Sequence, residues 1–369
     1  MKRAPAVSLI LCAAAMAVAM AAAFAPRTAA QAQPEKPAPP AQSVRVDPPA
    51  AAAHPPVLFT PRYAPGEITR YQVSFRSQSR SSVGGALKNP QGASEVGISV
   101  GFTLRLEVLT PVPGSVAAPA SPAQAPAQGS SQAPAASPAT ERPPLRLRAV
   151  YESVTAKLSG DAYDPSATKL LAQYQNLQGR TIEFQLGPQG ELEYIKGLDE
   201  VLQDPRALDA ARAWLEQIGA GLGAPAGGAV PGQSWQRSQP VADAPLKDTM
   251  LQTIATYLRD EACSANDPSG EQCAVVLMRF SLGQPSAEKN PTPDSFRRRR
   301  LRTSGQWTSQ GESLVYVSLS TGRTVSVSQT SEEQMDLNIR HEDGGLPFRY
   351  AGRTKTETHL LLLTGDHTP

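Results

Sequence analysis

The stretch GISVGFTLRLEVL, residues 97–109, sets Ile98, Val100, Phe102, Leu104, Leu106 and Val108 in strict alternation with Ser99, Gly101, Thr103, Arg105 and Glu107. Strand side chains point to opposite faces with a period of two, so a run of this length specifies a long strand with one buried face. Upstream, ITRYQVSF repeats the pattern through Tyr71, Val73 and Phe75. Downstream, LRLRAVYESVTAKLSG begins in one phase at Leu145 and Leu147, then shifts to Val150, Val154 and Leu158, which predicts a bulge or a strong local twist.

RTIEFQLGPQGELEYIKG reads as a hairpin, with Ile182, Phe184 and Leu186 going out and Leu192 and Tyr194 returning after Gly187-Pro188-Gln189-Gly190. The later segments LQTIATYLR, AVVLMRFSL, SLVYVSL, RTVSVSQ, QMDLNI and TKTETHLLLL read as further strands, with Ser320-Thr321-Gly322-Arg323 as a turn of hairpin length. Two helices interrupt them. Asp164-Pro165 supplies an N-cap and first-turn proline before ATKLLAQYQNL, and Asp204-Pro205 does the same before RALDAARAWLEQIG. In the second helix Leu208, Ala211, Leu215 and Ile218 share a face that is expected to lie on a sheet. Hairpin succession without regular helix alternation predicts a mainly β fold: a curved antiparallel sheet or partly open barrel with one or two packed helices, the alternative being a β-sandwich.

Lys2 and Arg3 precede an apolar run from Val7 to Ala25 and small residues follow, which is the pattern of a secretory signal peptide cut after Ala32. Its removal takes away Lys2, Arg3 and Arg27 and no acid, so the formal net charge falls from +2 to −1. A near-neutral protein has no global field favouring nucleic acid. No second run is long enough to span a bilayer. Residues 33–56 and 111–144 are Pro- and Ala-rich tracts, read as a tether and as a disordered insertion at a hairpin tip. The remainder, within 57–369, is read as one β-rich domain.

Cys263 and Cys273 bracket CSANDPSGEQC between two strand-like segments. In the oxidising compartment that export implies, the pair is expected to be a disulfide staple. Zinc would need two more ligands, and His54, His341, His359 and His367 offer no paired spacing; a catalytic dithiol has two intervening residues, not nine. No metal or cofactor is expected. The run Arg297, Arg298, Arg299, Arg300 and Arg302 reads as a docking patch for a polyanion, a solvated loop entering the next strand, or a processing site for a basic-site protease. No nucleophile elbow, phosphate-binding glycine loop, zinc-protease helix or calcium loop is present.

Taken together, YAPGEITRYQVSF, LQGRTIEFQLGPQGELEYIKG and PGQSWQ with the strands up to YVSLSTGRTVSVSQ resemble an uncharacterised family of exported bacterial β-rich proteins. That resemblance spans residues 60–340 and implies an exported, mostly β protein, periplasmic or extracellular; it carries over no catalytic residue. The leading functional expectation is a non-enzymatic exported protein that binds an apolar ligand, such as a lipid, or a cell-envelope partner on a concave β face. Phe102, Leu104, Tyr151, Phe184 and Trp214 are the candidate lining residues. A hydrolase with a dispersed site and an interaction module docking through the arginine run are the competing classes.

Overall fold

The computed structural model describes residues 54–85, 92–109, 145–160, 165–187, 192–200, 221–225, 227–241, 244–264, 270–283 and 292–363. The strands are β1 (Ile68–Gly85), β2 (Ser94–Val108), β3 (Leu145–Gly160), β4 (Thr181–Leu186), β5 (Leu192–Lys196), β6 (Ser234–Pro240), β7 (Met250–Ala262), β8 (Gln272–Gly283), β9 (Leu301–Ser318), β10 (Thr324–His341) and β11 (Phe348–Leu363). Two short helices, α1 (Pro165–Gln175) and α2 (Asp294–Arg298), complete the regular structure with a turn of 3-10 helix at Gly221–Gly223. Helix α1 is the one announced by Asp164-Pro165. The expected helix near 205–218, and the two Pro/Ala-rich tracts up to Ala53 and over 111–144, lie outside the described residues.

All eleven strands form one sheet in the order β5-β4-β3-β2-β1-β11-β10-β9-β8-β7-β6, and every neighbouring pair is antiparallel. This is the curved open sheet and not the sandwich. The first and last strands meet at its centre, with Val73 opposite Leu360, and the edges are β5 and β6, consecutive in the chain. Counting alternating directions outward from β1 makes both edges run the same way. They could close a barrel only through a parallel pair, and the sheet is not closed. Both edges are short, and Pro240 ends one of them, which blunts further strand addition.

The predicted phase shift in β3 is a bulge. Ser153 opposes Thr103 and Tyr151 opposes Leu104, leaving Glu152 as the extra residue. Leu147, Ala149 and Tyr151 therefore face inward before it and Val154, Ala156 and Leu158 after it, while Val150 faces out. At Gly305 the backbone adopts φ +133°, and a Cβ there would lie 2.1 Å from the Asp336 carbonyl oxygen, so only glycine fits between β9 and β10.

Three apolar clusters line the inner face. Leu104, Leu106, Leu147, Ile182 and Phe184 pack with Leu177 and Tyr174 at the end of α1. Phe59, from the segment preceding β1, packs on Tyr257, Val276 and Val315. At the opposite end Ala244 and Leu246 cover Trp307, Leu337, Ile339 and Phe348. The outer face is polar: Arg70, Arg105, Arg146 and Arg148 interlock with Glu107, Glu152 and Glu183 across β1 to β4.

Candidate functional site

The inner face is not apolar throughout. Where β1, β11, β10 and β9 run side by side, the inward positions between the clusters are polar, and the register stacks them in rungs. Phe75, Thr358, Gln329 and Ser313 form one rung; Ser77, Thr356, Ser331 and Gly311 form the next; Ser79, Thr354, Glu333 and Ser309 form the third. Directly opposed side chains in such a ladder are roughly 5 Å apart, so the polar members, Phe75 and Gly311 set aside, make one continuous polar surface. It is framed by Val96, Ile98 and Val100 on β2, Met278 and Phe280 on β8, and Met335 and Trp307 beyond the third rung.

This polar block is buried. Thr356 is 1% exposed, Ser331 3% and Glu333 2%. Thr354 Oγ1 reaches Ser79 Oγ at 3.2 Å, and the Trp307 indole N–H donates to Glu333 Oε1 at 2.7 Å. The hydroxyls of Ser309, Ser313, Ser331, Thr356 and Thr358 have no hydrogen-bond partner among the described residues. An unpaired buried hydroxyl costs about 1–3 kcal/mol, so five together rival the whole net stability of a domain. Burial raises the Glu333 carboxyl to about 8, with the Trp307 hydrogen bond opposing the rise. At neutral pH it is mainly a neutral carboxylic acid able to donate a proton in a hydrogen bond.

Of the lining residues expected from sequence, Leu104, Tyr151 and Phe184 are buried in the first cluster and Phe102 packs against it, its ring 5.3 Å from that of Tyr151. Trp214 lies outside the described residues. The structure thus gathers four of them, as core under α1, and the polar block lies beside that core. Its Ser and Thr residues escaped the sequence reading because apolar alternation was the signal sought. One observable trace exists: Ser77, Ser79 and Ser81 continue the phase of Tyr71, Val73 and Phe75.

The cysteines are joined, with Cα atoms 4.9 Å apart, at the tip of the β7–β8 hairpin. The arginine run is divided. Arg297 is 3.6 Å from Asp294 and donates to the Thr292 carbonyl, Arg300 pairs with Asp343 at 3.2 Å, and Arg302 pairs with Glu342 at 2.5 Å. Arg298 and Arg299 are exposed on α2 and just after it. The row of five therefore does not present one common cationic face.

His54, assigned from sequence to the tether, lies 2.6 Å from Asp260 through Nε2 and 2.9 Å from the Pro55 carbonyl through Nδ1. Tyr257 donates its hydroxyl to the same aspartate. Both contacts, the one with Asp260 foremost, raise the His54 pKa. With both ring nitrogens placed against oxygens, His54 anchors the segment before β1 to Asp260 on β7. Among the described residues there is no group of three or more metal-binding side chains, and no helix is long and apolar enough to cross a membrane.

No family model and no curated protein matches the chain. Among solved structures, the crystal structure of an outer membrane channel from Pseudomonas putida F1 matches over 82% of this chain and 98% of that chain, at 8% identity and a TM-score of 0.16.

Proposed function

We propose that this is an exported, non-enzymatic binding protein that holds an amphipathic ligand against the inner face of its open sheet. One observation carries the reading: five buried hydroxyls without partners sit on adjacent strands inside an apolar frame. A filled core selects against such groups, whereas a site for a ligand with a polar end and an apolar body requires them. The disulfide supports export, because such bonds persist in oxidising compartments. The polar and charged outer face supports a water-facing sheet, since a membrane barrel turns an apolar band outward.

Native mass spectrometry of the exported protein tests this reading. The expected spectrum shows a lipid-sized adduct that solvent extraction removes. A bare polypeptide mass, together with no uptake of the apolar dye N-phenyl-1-naphthylamine, would overturn it.

A further inference from the structure

We infer that the polar block receives an uncharged head rich in hydroxyl or ester oxygens, that of an acylglycerol or a glycosylated acylglycerol, while the acyl chains lie along the flanking apolar side chains. This rests on the binding function proposed above and narrows it to a class of ligand.

The chemistry of the block selects the head. Each serine or threonine hydroxyl is both donor and acceptor, so a row of them matches the hydroxyls of glycerol or a sugar, which play the same two roles, and can donate to ester oxygens, which only accept. A head bearing phosphate would need a cation. The inward residues of the three rungs and of the flanking positions on β2 and β8 include none. An anion placed on the block would therefore be desolvated without compensation, beside a carboxyl group that would repel it if ionised. A purely apolar ligand fares no better, because it would leave Ser309, Ser313, Ser331, Thr356 and Thr358 unsatisfied.

The frame accounts for the rest of the molecule. Val73, Leu360, Val327 and Val315 continue the same four strands beyond the first rung, and Met335 and Trp307 continue β10 and β9 beyond the third. A head on the block thus has apolar surface in both strand directions, as an amphiphile with a chain longer than its head requires.

Displacement of N-phenyl-1-naphthylamine from the exported protein tests the assignment, with four competitors: 1-monooleoylglycerol, an oleoyl glucoside, dioleoylphosphatidylglycerol and 1-octadecene. The expected result is that one of the first two competes at about tenfold lower concentration than either of the others. Preference for the glycerol ester or for the glucoside identifies the source of the head. In the variant carrying Thr356→Val and Ser331→Ala that advantage is lost, octadecene competes as before, and the melting temperature holds or rises because unpaired hydroxyls have been removed. Ser313→Ala gives an independent second variant with the same expected signature. Tightest competition by the phosphatidylglycerol would overturn the inference. So would unchanged competition in both variants, which would mean that trapped water alone satisfies the hydroxyls. Dye binding with no discrimination among the competitors would overturn the head assignment and leave the binding function standing; no dye binding by the parent protein would remove both.

Discussion

Glu333 faces the interior with one carboxyl oxygen on the Trp307 indole, and its burial determines how stability must vary with pH. Its folded pKa, raised to about 8, exceeds the unfolded carboxylate value, so between those two values the native state holds a proton that the unfolded chain has released. The associated stability is complete below the unfolded pKa and is lost as pH rises through about 8. Urea midpoints should therefore fall between pH 5.5 and pH 8, by an amount on the order of a few kcal/mol in unfolding free energy. His54, also raised, loses its contribution in the same direction as pH increases. Glu333→Gln separates the two: it should flatten most of the slope and leave the remainder due to His54. An unchanged slope in that variant would show that Glu333 titrates normally and that the block is wet.

At the scale of elements, the β7–β8 hairpin is held at its tip by the cysteine pair and along its length by a ladder that shifts register between Tyr257 and Arg259. Cys263 N–H donates to the Glu271 carbonyl at 2.9 Å, so backbone pairing of the hairpin runs on past the bridge into the loop that it closes. Closing a loop of this size removes about 2–3 kcal/mol of unfolded-chain freedom. Replacing both cysteines by serine should lower unfolding stability by about that amount and leave the fold intact. Equal urea midpoints for the two proteins would sink this expectation. The same comparison under reducing conditions should bring the parent protein down to the variant.

At the scale of the whole sheet, the decisive feature is that the described residues form an odd number of strands joined by antiparallel pairs. The sheet then has two edges that run in the same direction, and its most protected pairing is β1 with β11, far from both. Amide hydrogen exchange should be slowest around Val73 and Leu360 and fastest in β5 and β6. Protection of Leu192–Lys196 and Ser234–Pro240 as strong as that of the centre would mean that the edges pair, with each other or with a second copy.

The sequence by itself determined the strand-forming faces, the bulge in β3, the helix after Asp164-Pro165, the hairpins and the cysteine staple. Each of these is encoded locally, in period-two alternation, turn residues or spacing. It misdrew the long strands, reading RTVSVSQ and QMDLNI as two where the structure has the single β10. Strand β1 likewise continues to Gly85, past the Phe75 at which its apolar alternation stops. The reason is physical. Apolar alternation marks a strand only while its inner face meets an apolar core, and in the middle of these strands the inner face is serine and threonine. Only the tertiary structure decided that the first and last strands meet at the sheet centre and that polar stretches from four separate strands fall on the same rungs. Long-range register makes that juxtaposition, which no local window contains. It turned a set of ordinary Ser and Thr residues, together with Glu333, into the candidate site, and it turned the expected lining residues Leu104, Tyr151 and Phe184 into the core beside it.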